Sequence, residues 1–397
     1  MWRRGASNLS RRVAFAGASA GALALAAHLH PEFVAPTHTA LCEAAGRGVS
    51  ALVWGDRFVG TEGSVYEAKS PEAVQIPADV THVAFGERSG AFTDASGNVW
   101  AWGRSLGRDV GAAQLVLKGK RAVKVPLPRG VLRYFLPWGQ AVDISANNGN
   151  FAAVTSAGNV YALGNGSKGQ LGDGTTPEHR AALAPMTLPP GVTAKQVSVG
   201  GEFSLILCHD GRLFATGADN LMQLGQGLET LRAYSAQTEV GSASGALCSS
   251  LPLLVQPPGG EGRFVSASAG EDFSVAVWER GGKRSAVTFG NGVLGQLGHS
   301  APTHLSPPKM VGLLEGKQEW DGEKVITLDV QAVAAGREHV LALLSNGAVL
   351  SWGANRKGQL GTGSLASSRV PALVMPLQQY KIGKVFAGAR GSAAVVA

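Results

Sequence analysis

The sequence has few charged side chains and few cysteines, and it lacks several common catalytic signatures. Only 16% of its 397 residues are charged, compared with about 25% in a typical soluble domain. The three cysteines Cys42, Cys208 and Cys248 form no Cys-x-x-Cys pair, which argues against a disulfide framework or a zinc knuckle. The chain contains no Walker A sequence and no His-Glu-x-x-His motif, and its nine histidines show no metal-ligand spacing. We therefore predict no metal, no cofactor, no catalytic residue and no small-molecule substrate.

What the chain has in abundance is glycine. It contains 55 glycines, and 45% of its residues are hydrophobic, so it has enough apolar material for a core and is not globally disordered. Much glycine with little charge and no heptad pattern indicates many short strands joined by tight turns. The net charge of +7 falls largely on Arg3, Arg4, Arg11 and Arg12, which precede the first acid, Glu32. The bulk charge therefore does not imply a nucleic-acid partner.

The first 30 residues are predicted to be a targeting leader. Residues 1–12 are basic and contain no acid, and residues 13–29 are uncharged and rich in Ala and Gly. An acid-free basic start suits mitochondrial import, because a basic amphipathic helix responds to a negative membrane potential. Seventeen helical residues span about 25 Å against a hydrocarbon core of roughly 30 Å. Two interpretations stay open, a short inner-membrane span over 13–29 or a presequence that is cleaved.

Two further predictions concern this end of the chain. The segment Ser10-Arg11-Arg12, followed by an apolar run, also resembles a twin-arginine export signal. We favour mitochondria because the remainder of the chain is eukaryotic in style. Residues 31–48 are predicted to be a linker, and residues 49–397 the folded domain.

Residues 49–397 repeat one pattern. Its clearest copy begins with Ala335 to His339, continues through the hairpin signal Asn346-Gly347, and ends a strand at Trp352-Gly353 before the tail Gly358 to Gly361. Each copy predicts a hairpin, a glycine-rich turn and a loop of variable length. Glycines spaced by 11 and 6 residues recur at 86, 97 and 103 and at 200, 211 and 217, and the Gln-Leu-Gly tail recurs at 170–172, 223–225 and 296–298.

The repeats predict an all-β, closed β-propeller. Several four-stranded sheets packed radially bury their faces, whereas one such sheet alone does not. Residues 386–397 form the first half of a repeat, and residues 49–55 form a second half, so the last and first segments are expected to close one blade. With this composite blade we count six units, whose third strands end at Gly55, Gly103, Gly164, Gly217, Gly290 and Gly353.

The Ala-Gly-x-x-His start, the Trp-Gly strand end and the Gly-Gln-Leu-Gly tail resemble the regulator of chromosome condensation repeat over about 49–397. That family usually builds seven blades, so either the ring has six or one blade has diverged within the interval from Gly225 to Gly270. Residues 226–262 are polar and rich in Ser and Gly, and we expect a loop insertion there.

The resemblance also implies a function. The chain is similar to mitochondrial members implicated in assembly of respiratory complex III and in mitochondrial ribosome biogenesis, which implies a non-enzymatic interaction scaffold. Its expected protein partners are respiratory-complex or mitochondrial-ribosome assembly components. A leader that spans the inner membrane favours the respiratory complex, whereas a cleaved leader places the propeller in the matrix and favours the ribosome. The alternative is guanine-nucleotide exchange on a small GTPase, the activity of the founding member.

Several motifs have structural interpretations. The segments 164–169 and 290–295 match Gly-x-Gly-x-x-Gly but run into Gln-Leu-Gly tails rather than a helix, so we interpret them as turns. His339 occupies the position of a buried structural histidine in the repeat that it resembles. Photoreception is disfavoured because the Gly-Trp-Arg-His-Thr motif of the photoreceptor branch is absent. Trp54, Trp102 and Trp352 are predicted to be packing residues.

One segment departs from the repeat and is the candidate partner-binding site. Between Asp109 and Asp143 no acid occurs, and aromatic residues follow the bases. Basic charge beside aromatic rings suits RNA, anionic lipid or an acidic protein face, although such a loop is also found as a solvated connector. The candidate residues of this basic loop are Lys118, Lys120, Arg121, Lys124, Arg129, Arg133 and Trp138.

Overall fold

The protein is described by a computed structural model. The structure describes residues 51–58, 65–74, 80–85, 89–94, 99–103, 123–125, 141–227, 247–314, 318–320 and 325–397. The predicted leader and linker, residues 1–48, lie outside these ranges. Among the described residues, no helix has the length and hydrophobicity needed to cross a membrane.

The described residues form short β-strands and three short 3-10 helices. The first strands are β1 (Ala51–Phe58), β2 (Val65–Val74), β3 (Val80–Phe85), β4 (Ser89–Asp94), β5 (Val99–Gly103), β6 (Val123–Val125), β7 (Ala141–Asn147), β8 (Asn150–Thr155), β9 (Val160–Gly164) and β10 (Arg180–Pro185). The next are β11 (Ala194–Val199), β12 (Phe203–Cys208), β13 (Leu213–Ala218), β14 (Cys248–Val255), β15 (Arg263–Ala269), β16 (Phe273–Arg280), β17 (Lys283–Gly290) and β18 (Leu305–Met310). The last are β19 (Gln318–Trp320), β20 (Val325–Thr327), β21 (Val330–Ala335), β22 (His339–Leu344), β23 (Val349–Gly353), β24 (Ser368–Leu373), β25 (Ile382–Ala387) and β26 (Gly391–Val396), and the 3-10 helices are Pro258–Gly260, Gly312–Leu314 and Met375–Leu377.

In the described ranges these strands form six four-stranded antiparallel sheets and one two-stranded hairpin. We name them sheet I (β25, β26, β1, β2), sheet II (β3–β6), sheet III (β7–β10), sheet IV (β11–β14), sheet V (β15–β18) and sheet VI (β21–β24), with the hairpin β19–β20 between sheets V and VI. The first strand of each sheet packs against its neighbours: sheet IV against III and V, sheet VI against V and I, and sheet I against II. The arrangement is that of an all-β propeller, as the repeats predict.

The two ends of the chain share sheet I. Strand β1 pairs with β26 in antiparallel register, from Ala51 opposite Val395 to Gly55 opposite Gly391. The outer strand of this sheet is β2, and the inner strand is β25. The complementary half-repeats at the two ends of the sequence therefore complete one sheet, as predicted.

The turn glycines of the repeat explain where the strands stop. Gly211 sits in the β12–β13 hairpin with φ +87°, a backbone conformation that suits glycine. Gly217 has φ +113°, and a Cβ atom there would lie 2.5 Å from the carbonyl oxygen of Glu202. A side chain at this position would therefore force the neighbouring turn away.

The core is divided into layers between adjacent sheets. One layer joins sheets III and IV, a second joins IV and V, a third joins V and VI, and a fourth joins VI and I. Phe203, Phe273 and Trp352 are fully buried in these layers. A chain of this length therefore buries its apolar residues without one oversized core.

The Gln-Leu-Gly tails join sheet III to IV, IV to V, V to VI and VI to I. In every tail the glutamine Oε1 accepts the backbone N–H two residues earlier, which closes the local turn. The backbone carbonyl of the same glutamine accepts a hydrogen bond from the next sheet. These bonds run from Ser204 Oγ to Gln170 O (2.9 Å), from Ser274 Oγ to Gln223 O (2.9 Å), from Trp352 Nε1 to Gln296 O (2.9 Å), and from Trp54 Nε1 and Ser392 Oγ to Gln359 O (2.8 Å each).

A second seam of hydrogen bonds joins the innermost strands. Ser145 Oγ accepts from Val199 N–H at 2.9 Å, and Ser198 Oγ accepts from Ala269 N–H at 2.7 Å. Ser268 Oγ repeats the bond to Ala335 N–H at 3.0 Å. Because these strands do not pair with one another through their backbones, small polar side chains satisfy the buried N–H groups between them.

The expectation of a loop insertion over residues 226–262 is wrong in part. Residues 248–255 form β14, the outer strand of sheet IV, and residues 258–260 form a 3-10 helix. The polar, Ser- and Gly-rich composition of residues 226–262 suggested a loop, yet an edge strand forms within it and tolerates Pro252, because its outward N–H is not needed. In the described part of the interval from Gly225 to Gly270, the only strands are β14 and the start of sheet V, so no additional sheet lies there.

Removing the last strands should destabilise the whole domain. Strand β26 lies between β1 and β25. Deletion of residues 386–397 removes β26 and therefore exposes the edges of both neighbouring strands. We expect the melting temperature to fall by roughly 10 °C or more, or folding to fail. Deletion of residues 1–30 is the matched control and should leave the transition in place. If the protein without residues 386–397 has the same melting temperature as the parent, the two chain ends do not share a sheet as described.

Candidate interaction surfaces

The repeat motifs serve the fold rather than a reaction. Gly164 and Gly290 end their strands with φ +116° and +104°, and both glycine-rich segments continue into turns, so the turn interpretation is confirmed. His339 is fully buried, and its Nε2 lies 2.8 Å from Ser392 Oγ. Burial lowers the pKa of His339 to about 3, so the ring is neutral at physiological pH. This histidine is a structural residue, as predicted.

The tryptophans and cysteines singled out in the sequence are also structural residues where the structure describes them. Trp54 and Trp352 are buried and donate their indole N–H groups to motif carbonyls, which confirms their packing role. Cys208 and Cys248 are buried and are not in a disulfide. Burial raises the pKa of Cys208 to about 12 and also raises that of Cys248, so neither is a reactive thiolate. The side chain of Trp102 lies outside the described part.

The basic loop lies mostly outside the described residues. Its residue Lys124 lies in β6, the outer strand of sheet II, opposite Trp100 of β5. The other members are not placed: Lys118, Lys120, Arg121, Arg129, Arg133 and Trp138. The loop remains a prediction as a partner-binding site.

The turns between the first and second strands bring carboxylates together at one end of the propeller. We call Glu202, Glu271, Asp272 and Glu338 the acidic rim. Consecutive turns are tied by their backbones, because Gly201 N–H donates to the carbonyl of Glu271 at 2.9 Å and Glu271 N–H donates to that of Arg337 at 3.0 Å. Three neighbouring sheets thus hold these acids in fixed positions.

The acidic rim is only partly neutralised. The Arg337 guanidinium lies 3.5 Å from Glu271 Oε1, and the same oxygen accepts from the Asn148 amide at 3.1 Å. Burial, followed by the neighbouring charges of Glu271 and Glu202, raises the pKa of Asp272 to about 6. The negative charge of the rim therefore increases as the pH rises toward neutrality.

The opposite ends of the strands carry a basic cluster, which we define as Lys195, Arg263 and Arg284 around Glu279. Arg263 Nη2 and Arg284 Nε bond the two carboxylate oxygens of Glu279 at 2.6 and 2.7 Å, and these bonds hold the pKa of that carboxyl below its usual range. Lys195 Nζ donates to the carbonyl of Val265 at 3.3 Å. Burial, then the charges of Arg263 and Arg284, lower the pKa of Lys195. Two arginines thus share the Glu279 carboxylate, and Lys195 lies near enough for their charges to affect its pKa.

Neither surface is evident from the sequence. The acids of the rim come from repeats about 70 residues apart, as Glu202 and Asp272 show, and the basic cluster combines β11, β15 and β17. The signal that could have identified the rim is the second position after the first glycine of each repeat, where Glu202, Asp272 and Glu338 are equivalent. That position carries an acid in three consecutive copies.

Comparison with known proteins places the fold in a known group. The family model "Regulator of chromosome condensation (RCC1) repeat" matches residues 157–207, 210–277 and 346–395, and a second model with the same description matches 330–359. The solved structure of human WBSCR16 superposes with a TM-score of 0.68 at 19% identity, covering 87% of this chain and 98% of that one. Prp20p of Saccharomyces cerevisiae superposes with a TM-score of 0.53 at 18% identity, over 88% and 91% of the two chains. At these identities the likeness shows the fold.

Curated relatives are much larger proteins. The human E3 ubiquitin-protein ligase HERC2 is 28% identical over 295 residues, which cover 74% of this chain and 5% of that protein. The human probable E3 ubiquitin-protein ligase HERC6 is 30% identical over 298 residues, covering 75% of this chain and 25% of that protein. The chain therefore spans a quarter or less of the length of these two relatives.

The raised pKa of Asp272 predicts a pH-dependent stability. The folded chain binds this proton more tightly than the unfolded chain, whose Asp titrates near 3.8. The contribution of this carboxyl to stability should therefore fall as the pH rises from about 4 to about 6 and stay reduced above that. Asp272→Asn should raise the melting temperature by about 1–3 °C at pH 8, with the gain vanishing near pH 4. Glu178→Gln, at an exposed acid, is the control, and an equal gain for both variants would contradict the assignment.

Proposed function

The chain belongs to the regulator of chromosome condensation (RCC1) repeat family, and on that basis we propose that it is a non-enzymatic protein-interaction scaffold. The observation that supports this function most is the pair of charged surfaces at opposite ends of the strands. The acidic rim joins turns from three sheets, and the basic cluster joins strands from two. Extended charged surfaces on a rigid framework steer and orient protein partners rather than enclose a small substrate.

We also propose that the six sheets close into a six-bladed ring. Consecutive packing runs from sheet III through IV, V, VI and I to sheet II. Contact of sheet II with sheet III would complete the circle. The shared sheet I supports this arrangement, because pairing of the chain ends in one blade is how a propeller avoids an open edge.

The proposed location is the mitochondrion, with attachment to the inner membrane, and matrix residence after cleavage is the alternative. The support is the acid-free basic leader followed by an uncharged run over 13–29. In this proposal the scaffold acts in assembly of respiratory complex III if the leader spans the membrane. It acts in mitochondrial ribosome biogenesis if the leader is removed in the matrix.

The alternative function is guanine-nucleotide exchange on a small GTPase. The observation that favours it is the likeness to Prp20p, whose structure was described together with its binding to Gsp1p and histones. Exchange would use surface loops, so it requires no cofactor pocket. Ligase activity is not proposed, because the chain spans a small share of the length of the HERC relatives.

The leader should determine location without contributing to the fold. Deletion of residues 1–30 should abolish mitochondrial import and leave a folded domain, because it removes the acid-free basic segment. Imported full-length protein is then extracted with alkaline carbonate. Retention in the membrane pellet supports the span, and release of a shortened protein supports the cleaved presequence. Efficient import of the deletion variant would contradict the proposed address.

The basic loop should contribute to partner binding more than to stability. Replacing Lys118, Lys120, Arg121 and Lys124 with Ala should change the melting temperature little, since exposed charges each contribute under about 1 kcal/mol. Recovery of native partners by pull-down should fall several-fold, and the remaining recovery should weaken further as salt rises.

The control for this experiment is Ala at Arg356 and Lys381, two exposed bases elsewhere on the domain. If the parent, the basic-loop variant and the control recover the same amount of partner at low and moderate salt, the basic loop is a solvated connector and not a binding site. A nucleotide-free small GTPase as the main recovered partner would favour the exchange alternative over the scaffold.

A further inference from the structure

A groove of about 850 Å³ opens at the outer edge of the propeller beside sheet V. One wall is the 3-10 helix Pro258–Gly260, and the other is formed by the edge strand β18 together with the 3-10 helix Gly312–Leu314. Val370, near the start of β24, also lines the groove. Its size is that of sites which hold a drug-sized ligand or a few residues of a peptide.

Much of the groove lining is apolar, and apart from the buried Pro308 its apolar side chains are exposed or half-buried. Leu313 is 59% exposed, one of the most exposed large apolar side chains among the described residues. Four prolines share the lining with Met310: Pro257, Pro258, Pro307 and Pro308. Exposed apolar surface rimmed by polar residues is typical of an interaction site.

His299 contributes a hydrogen-bond acceptor to the lining without a charge. The hydroxyl of Thr288 donates its only proton to the carbonyl of Leu297 at 2.7 Å. His299 Nε2 lies 2.9 Å from the same hydroxyl oxygen, so it must be the donor, and Nδ1 then keeps its lone pair. Burial, followed by the charge of Lys309, lowers the pKa of His299 to about 4, so this tautomer persists at neutral pH.

The charge of the groove comes from one exposed base. Lys309 lies in β18 with its side chain exposed, and no acid is among the described residues that line the groove. Arg369, next to Val370, is also exposed. An occupant with a carboxylate beside its apolar side chains would therefore complement the groove in both polarity and charge.

We propose that this groove binds a short extended segment of a partner protein, in which leucine-like side chains alternate with acidic residues. The apolar side chains would lie against the prolines and Leu313, and a carboxylate would pair with Lys309. A backbone N–H of the segment would donate to His299 Nδ1. The groove shares no residue with the acidic rim, the basic cluster or the basic loop, so this proposal can fail while the proposed scaffold function holds.

The test uses the full-length chain and fluorescein-labelled synthetic pentapeptides, measured by fluorescence anisotropy. One peptide alternates Glu and Leu, the second has Ser in place of Leu, and the third has Lys in place of Glu. The variants are Lys309→Glu and Leu313→Asp. The matched controls are Arg356→Glu and Leu365→Asp, at an exposed base and an exposed leucine away from the groove.

We expect only the Glu–Leu peptide to bind the parent protein. Lys309→Glu and Leu313→Asp should each weaken it by about 10-fold or more, while the controls change it less than about twofold. Lys309→Glu should also gain binding to the Lys–Leu peptide, a reversal that a folding defect cannot produce. Melting curves confirm the fold, and Lys309→Gln replaces Lys309→Glu if the latter does not fold.

Three outcomes would overturn the proposal. If the Glu–Ser peptide binds as tightly as the Glu–Leu peptide, binding is due to nonspecific charge attraction. If the groove variants bind the Glu–Leu peptide as tightly as the control variants do, the peptide binds outside the groove. A benzophenone-bearing Glu–Leu peptide that crosslinks outside the groove would show the same. If the Lys309 and Leu313 variants weaken binding to phosphatidylserine vesicles more than they weaken binding to the peptide, the groove binds a membrane surface instead.

Discussion

The hydrogen bond to the backbone carbonyl of the motif glutamine is the interaction on which the arrangement of the sheets depends. Apolar layers join adjacent sheets, but apolar contact by itself is non-directional. At four successive junctions a buried hydroxyl or indole N–H of one sheet donates to the Gln carbonyl of the preceding one. Each bond contributes about 1 kcal/mol, but a buried carbonyl left without its donor costs about 1–3 kcal/mol, so a sheet that slips is penalised at every junction. The same glutamine closes its own turn with Oε1, which leaves its carbonyl in a fixed position for the next sheet.

The residues that form the sheets and their junctions are different from those that form the charged surfaces. Glycines, motif glutamines, small hydroxyl residues and buried aromatics are committed to the sheets and the junctions. The turns between the first and second strands carry the acidic rim, and the opposite ends of the strands carry the basic cluster. The buried His339 also belongs to a sheet junction. It is neutral and forms a hydrogen bond with Ser392, which in turn donates to the Gln359 carbonyl. A scaffold function is consistent with a framework that is rigid inside and charged on its surfaces.

The sequence predicted the parts of the structure that local spacing determines. Two-residue turns such as Asp210-Gly211 and strand ends such as Gly353 gave the hairpins, and the half-repeats at the two ends gave the shared sheet. The role of the Gln-Leu-Gly tail was not predicted, because the donor to Gln296 is Trp352, 56 residues away. The acidic rim was missed for the same reason, and β14 was taken for part of a loop because residues 226–262 are polar and rich in Ser and Gly. The basic loop stood out in the sequence, but apart from Lys124 its residues lie outside the described part.

The most direct test of this account compares two tryptophan variants by amide hydrogen exchange and thermal unfolding. Trp352→Phe removes the indole donor to Gln296, which joins sheets V and VI, whereas Trp278→Phe removes an indole donor to Glu261 within the part of the chain that forms sheet V. The account predicts that Trp352→Phe lowers stability by about 1–3 kcal/mol and speeds exchange in both sheets V and VI. It predicts a smaller loss for Trp278→Phe, with faster exchange confined to sheet V. Equal losses for the two variants, or faster exchange in sheet VI alone for Trp352→Phe, would contradict the role given to the motif glutamine.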